Sequence, residues 1–369
     1  MIASESALAE LIGRIAHEPQ IALDTEADSL HSYFEKLCLV QLSTPGEHLL
    51  IDPLCGIDLQ PLFSALGGKR VVFHGADYDL RLINRSFRFD APDLFDTMIA
   101  SRLCGRKELG LAALVEHFFG VKLSKASQKA NWALRPLSAQ MEEYARNDTR
   151  YLLQIGATLE ADLHTLGRWE WFVESRDRMM AAAREQRTRD DNKAWRISGS
   201  AALTPRAQSV LRILWQWRDS EARAWDRPAF HVMGNEDLVR IAQRAADGHP
   251  VETPRLTNRR RKSFEVVLAL ALGIPESEWP KKEKTRRKKI PRDQIERLDN
   301  FRAARDKAAA DLQIDPAILA PRQALEATAE NPSCDALMNW QRAILGLPPA
   351  APETAAVPSG TDDAAADAA

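Results

Sequence analysis

Apolar positions open the chain at helical spacing: Leu8, Leu11, Ile12 and Ile15 lie on one face, and the pattern stops before Pro19. Three short apolar runs follow, Ile21-Ala-Leu-Asp, Leu37-Cys-Leu-Val-Gln-Leu and Leu49-Leu-Ile. The loops between them are too short for crossover helices, so the runs are expected to pair as an antiparallel meander. Beyond Leu59 the pattern becomes helix, strand (Val71-Val-Phe-His) and helix (Asp77 to Ser86), and from there mostly helical to about residue 195. This order predicts an α/β domain with a mixed sheet flanked by helices.

From residue 203 onward the pattern is helical throughout, broken by a polar stretch at 280–289. Leu211, Arg218, Asp219, Ala222, Leu238 and Ala242 each recur 87 positions later, as Leu298, Arg305, Asp306, Ala309, Leu325 and Ala329. One shared register across six positions predicts two divergent copies of a helical module. The expected organisation is an α/β domain over 1–195, a first all-α bundle over 203–279, a basic linker over 280–289, a second bundle over 290–348 and a disordered tail over 349–369. The tail is almost entirely Ala, Pro, Asp, Thr, Ser and Gly, a composition that cannot bury a core.

Composition adds little until it is mapped. Hydrophobic residues make up 45% and charged residues 28% of 369, which is ordinary globular usage. The net charge of −2 conceals a segregation of positive charge into the second half. Arg255, Arg259, Arg260, Arg261 and Lys262 form one cluster; Lys281, Lys282, Lys284, Arg286, Arg287, Lys288 and Lys289 form another. Both are candidate phosphate contacts. Cys38, Cys55, Cys104 and Cys334 show neither CxxC pairs nor zinc spacing, which fits a reducing cytoplasm. The longest apolar stretch, Val266 to Ile274, is too short to span a membrane. No membrane role and no obligate protein partner are expected.

Three segments carry candidate chemistry. Asp24 and Glu26 alternate on a strand, so both carboxylates leave the same face. With 52 acidic residues, such a pair arises about seven times by chance, and only its core-strand context gives it weight. In His74-Gly-Ala-Asp-Tyr-Asp-Leu80 a strand runs into a helix, where Asp77 is expected to cap and Asp79 to project from the first turn. Tyr144 and Asp148 are spaced i to i+4, which places phenol and carboxylate on one helix face. His74 is expected to pack or hydrogen-bond at the strand end, Asp28 and Asp96 to serve the structure, and Trp215, Trp217 and Trp225 to build a bundle core.

In this order the segments resemble the DEDDy 3′-5′ exonuclease superfamily: Asp-x-Glu on a strand, His-(x)4-Asp-Leu after a strand, Tyr-x-x-x-Asp on a helix. Leu23-Asp-Thr-Glu with Leu39-Val-Gln-Leu, Phe95-Asp-Thr, Leu123-Ser-Lys, Asn131-Trp, Arg135-Pro-Leu and Tyr144-Ala narrow the likeness to ribonuclease D over most of residues 20–155. Trp217-Arg-Asp, Ala222-Arg, Arg227-Pro and Leu238-x-x-Ile-Ala resemble the helicase-and-ribonuclease-D C-terminal module. The second copy is a weaker match.

The resemblance implies a ribonuclease-H-like mixed-sheet domain followed by two helical bundles. It implies that Asp24, Glu26, Asp79 and Asp148 bind two divalent ions, Mg2+ or Mn2+, and that Tyr144 positions the attacking water. The implied activity is stepwise release of 5′ nucleoside monophosphates from an RNA 3′ end, with tRNA precursors bearing a single-stranded 3′ tail as partners. A DNA exonuclease and a catalytically silent RNA-binding protein are the competing expectations. Arg146 and Asn147 depart from the family's usual small residues before the last aspartate.

Overall fold

The computed structural model describes residues 1–185, 190–253, 256–281 and 290–350. Of the expected basic contacts, Arg255, Lys282, Lys284, Arg286, Arg287, Lys288 and Lys289 lie outside the described residues, as does nearly all of the expected tail. The chain forms two compact units, residues 1–288 and 289–369.

The first unit opens with α1 (Glu5–Ile15), whose N-terminus is capped by the Ser4 side chain accepting from the Ala7 N–H. Its buried stripe of Leu8, Leu11 and Ile15 seats it on the sheet. Strands β1 (Gln20–Ala27), β2 (Leu37–Ser43) and β3 (His48–Ile51) form the expected antiparallel meander. After α2 (Gln60–Leu66), β4 (Arg70–Phe73) adds parallel to β1; α3 (Asp77–Asn84) and β5 (Leu94–Asp96) follow, β5 parallel to β4. The sheet order β3-β2-β1-β4-β5 places β1 at the centre. The sequence pattern does not predict β5: three residues are too few to show a period, and the strand exists through its tertiary pairing.

Alternation along the central strands separates two faces. Ile21 and Leu23, with Val40 and Leu42 of β2, belong to one large core cluster. Ala22, Asp24 and Glu26 face the other way, opposite Ser43, Gln41 and Leu39. That second face is covered by α6 of the helical series α4 (Thr97–Leu103), α5 (Leu111–Phe119), α6 (Ala139–Arg150), α7 (Leu152–Thr165) and α8 (Trp169–Arg184). Trp132, Leu137 and Ala145 close over Leu39 and Leu50 in a smaller apolar cluster beside the acids.

The remaining α-helices among the described residues of the first unit are α9 (Pro205–Trp225), α10 (Ala229–Val232), α11 (Asn235–Ala246) and α12 (Asn258–Leu272). Trp215 and Trp217 are buried in its core as expected. Trp225 is not: it ends α9, is 46% exposed, and carries the Arg260 guanidinium 4.0 Å above its ring. The bundle is tied to the loop that leaves β1. Asp226 Oδ1 accepts from the backbone N–H groups of Tyr33 and Phe34, both at 3.1 Å, the Tyr33 hydroxyl donates to Asp219, and Arg227 donates to the His31 carbonyl.

The second unit contains α13 (Arg292–Leu312), α14 (Pro316–Leu319), α15 (Arg322–Glu330) and α16 (Asn339–Ile344). The bounds of α13 and α14 equal those of α9 and α10 shifted by 87, and α15 starts 87 residues after α11. The left-handed residues that end α9 and α13, Asp226 and Gln313, keep the same offset. So does one side-chain bond: Arg218 donates to the Met233 carbonyl and Arg305 to the Ala320 carbonyl. Most of the stretch that would correspond to α12 at that offset, 345–359, lies outside the described residues.

Candidate active site

Asp24 and Glu26 reach the α6 face from the central strand, Asp79 comes from the first turn of α3, and Tyr144 and Asp148 come from α6. The structure brings all five together, as their mutual electrostatics show. Burial pushes the Asp24 carboxyl well above its ordinary range, reinforced by the charges of Asp79, Asp148 and Glu26. Glu26 is raised to about 9 by burial and then by Asp148 and Asp79. Asp148 is raised to about 7 by burial and by Asp79. Tyr144 is pushed upward by burial and by Asp148, Glu26 and Asp24.

Asp79 is the best-anchored acid. Burial raises it to about 7, opposed by hydrogen bonds from Thr25, whose backbone N–H and Oγ1–H donate to Asp79 Oδ1 at 3.1 and 2.5 Å. Thr25 points away from Asp24 and Glu26 on the same strand, so one tripeptide supplies two acids and the clamp for a third. Sequence reasoning misses this role, although an alcohol between two acids on a buried strand is the available signal.

The turn before α3 differs from expectation. Asp77 does not cap the helix: Ala76 occupies that position without a side-chain cap, and Asp77 pairs with Arg81 one turn on. Asp96 at the end of β5 supplies the missing acceptor. Its carboxylate takes the N–H groups of Gly75 (3.2 Å) and Ala76 (2.8 Å) and also caps α4 through Met98 and Ile99. Gly75 needs its positive φ of 80°, and a Cβ there would sit 3.2 Å from the Met98 methyl. Asp28 is likewise structural, accepting from the Ser32 hydroxyl and the Lys36 N–H. His74 Nδ1 meets Thr97 Oγ1 at 2.9 Å while that hydroxyl donates to the Phe73 carbonyl, so His74 packs at the strand end and burial holds its pKa low.

α6 is fixed over the sheet by a Ser43–Thr149 hydroxyl pair at 2.7 Å and by Arg146 donating to the His48 carbonyl at 2.8 Å. Arg146 and Asn147, the departures from the family pattern, bond to Glu142 and Glu143. Neither is among the groups that perturb the carboxylates. The Tyr144 ring leans on buried Trp132, centroids 6.0 Å apart.

Four carboxylates in one buried cluster are a hard, all-oxygen donor set that fits a divalent cation. Among the described residues no three candidate ligands already stand in metal-binding geometry. A cation bound among these carboxylates would relieve their mutual repulsion. Of the basic residues singled out in the sequence, Arg259 and Arg260 both pair with Glu221, and Arg260 is largely buried against Trp225. Arg261, Lys262 and Lys281 are exposed. Among the described residues no helix is long and apolar enough to cross a membrane.

Comparison with known proteins agrees with this geometry. The 3′-5′ exonuclease family profile matches residues 1–164, and the HRDC domain profile matches 207–247. Ribonuclease D of Nitrobacter hamburgensis is 29% identical over 94% of this chain and 93% of its own length. Ribonuclease D of Haemophilus influenzae is 30% identical over 76% of this chain and 73% of its own length. The crystal structure of Escherichia coli RNase D, an exoribonuclease involved in structured RNA processing, superposes with a TM-score of 0.69 at 27% identity, covering 89% of both chains. An acidic cluster at the centre of a mixed sheet, an HRDC domain following it in the chain and similarity over most of their length to these enzymes place the chain in the ribonuclease D family of 3′-5′ exoribonucleases.

Proposed function

We propose that the protein releases 5′ nucleoside monophosphates one at a time from the 3′ end of RNA, acting in the cytoplasm on tRNA precursors and other structured RNAs with single-stranded tails. The observation that carries this reading is the convergence of Asp24, Glu26, Asp79 and Asp148 with Tyr144 in one buried cluster. The four acids would hold two divalent ions, Mg2+ or Mn2+. Bound there, such ions polarise the scissile phosphate and make water nucleophilic near neutral pH.

The chain's own groups divide the work. Thr25 keeps Asp79 oriented and ionised against the pull of burial. Tyr144, its phenol held protonated by burial and by the surrounding carboxylates, orients water or a phosphate oxygen by hydrogen bonding and does not act as the base. Arg261, Lys262 and Lys281 are available to phosphate, whereas Arg259 and Arg260 hold α9 and α12 together through Glu221. Residues 290–348 are a divergent second copy of the 203–279 module, which the 87-residue offsets of helices, caps and the Arg218/Arg305 bond support.

The test compares the protein with Asp24→Asn on a 5′-labelled hairpin RNA bearing a 3′ tail, and on the matching DNA, in Mg2+, Mn2+ or chelator. A metal-dependent ladder on RNA that disappears in the variant is the expected result. Preferential digestion of DNA would replace this reading with a DNA exonuclease, and no cleavage by the unmodified protein would leave an RNA-binding protein.

A further inference from the structure

Gln41 is a polar side chain in the wrong place for a structural residue. It sits on β2 between Val40 and Leu42, is fully buried, and neither its amide nitrogen nor its amide oxygen has a hydrogen-bond partner among the described residues. Leaving a buried carboxamide unmatched is costly, and a Leu or Met would fill the same volume without that cost. Its register explains its position. Gln41 is the cross-strand partner of Asp24, so the two side chains leave the sheet on the same face as direct neighbours. Above them α6 packs across β1 and β2, carrying Asp148 and Tyr144. The remaining polar groups on this part of β2 are already used, Ser43 with Thr149 and His48.

We propose that Gln41 is a positioning residue of the exonuclease centre, its amide N–H donating to the Asp24 carboxylate and fixing that acid for cation binding. The charged side chains that act on Asp24 are all carboxylates, and the Tyr144 phenol is the other neutral polar group of the cluster. Asp79 has its neutral donor in Thr25, and no comparable side-chain donor to Asp24 is present among the described residues unless Gln41 turns to it. A neutral amide suits this position because it can satisfy an ionised carboxylate without competing with it for the cation, as a fifth acid would, or displacing the cation, as Lys or Arg would. The inference rests on the reading of Asp24 as a cation ligand.

The experiment uses the full-length protein with Gln41→Met, and Gln41→Leu as a second apolar replacement in case the first misfolds. Mn2+ binding is measured directly by isothermal titration calorimetry on chelator-treated protein, thermal melting is measured without ion, and RNA cleavage is measured across Mn2+ concentration. The expected result is Mn2+ affinity weakened by about 10- to 100-fold, with the ion-free melting temperature unchanged or raised, KM for RNA unchanged and the rate recovered at high Mn2+. Mn2+ affinity equal to that of the unmodified protein would overturn the proposal. So would a lowered melting temperature with a rate loss that high Mn2+ does not recover, because that is the signature of a packing role. Calorimetry separates the two readings: unmodified protein that binds Mn2+ but degrades no RNA would sink the proposed function and leave the role of Gln41 measurable, whereas absence of Mn2+ binding by the unmodified protein would remove both.

Discussion

Replacing Asp148 with Asn should stabilise the ion-free protein while abolishing its activity, and the pH dependence of that gain follows from the site. The Asp148 carboxyl titrates at about 7 in the folded chain against an ordinary 3.8, raised by burial and by the charge of Asp79. Between those values the folded chain holds a proton that the unfolded chain has released, so its contribution to stability falls as pH rises through the window. Above pH 7 the full penalty for ionising Asp148 is present, on the order of 4 kcal/mol at about 1.36 kcal/mol per pH unit; roughly half remains near pH 5.5. No side-chain hydrogen bond to Asp148 is present among the described residues, so the Asn amide that replaces it loses about 1–3 kcal/mol at every pH.

The net expectation for Asp148→Asn in chelator is a melting temperature a few degrees higher near pH 8.5, at about 2–4 °C per kcal/mol, and little or no gain near pH 5.5. Differential scanning fluorimetry at the two pH values measures both. Millimolar Mg2+ should then raise the melting temperature of the unmodified protein and leave the variant nearly unmoved, since only a site that binds in the folded state stabilises it. A gain that does not change with pH, or equal stabilisation of both proteins by Mg2+, would refute the idea that ionising Asp148 inside this buried, like-charged cluster is the dominant cost.

Thr25→Val deletes one of the two bonds to Asp79 and keeps the backbone one, so about 1.5–3 kcal/mol of orientation is at stake; cleavage should fall about tenfold or more at fixed Mg2+ with KM for RNA unchanged, and a full rate at limiting Mg2+ would contradict it. Asp226→Gly keeps the left-handed backbone at φ 46° but removes the acceptor for Tyr33 and Phe34; hydrogen exchange at those two amides should speed up while that of β1 does not. If Arg261 and Lys262 contact phosphate, replacing both with Ala should lower the salt slope of RNA binding by about 2, read from filter binding over a salt series.

The acids are legible in the sequence because strand alternation and helix spacing fix which side chains share a face, whatever the tertiary structure. The meander is legible because its loops cannot hold a crossover. Two differences from expectation have a single origin. β5 escapes the pattern because three residues carry no period, and the capping role falls to Asp77 on paper because the real acceptor, Asp96, stands at the end of that short strand. Trp225 belongs to the same helix as Trp215 and Trp217 but is the last residue of α9, where the bundle core ends and the Arg260 guanidinium covers the ring instead. Gln41 is legible as an anomaly, the one polar residue in a strand that is otherwise apolar from Leu37 to Leu42. What it faces requires the register.

Three elements deliver the four acids, and each is held by neutral or opposite-charge bonds outside the cluster itself. The turn into α3 is fixed by Asp96, Asp79 by Thr25, and α6 by Ser43–Thr149 and by Arg146 on the His48 carbonyl. Except for the Thr25 bonds, which end on the Asp79 carboxylate itself, these bonds restrain the backbone without satisfying the charge. Such a scaffold keeps like charges together against their repulsion, and the cost appears as raised pKa values instead of as an altered fold. A cation that enters therefore gains the repulsion energy as binding energy. The anchors must be stiff for this to work, which is why ion affinity is expected to fall on replacing Thr25 or Gln41 as well as on replacing the carboxylates themselves.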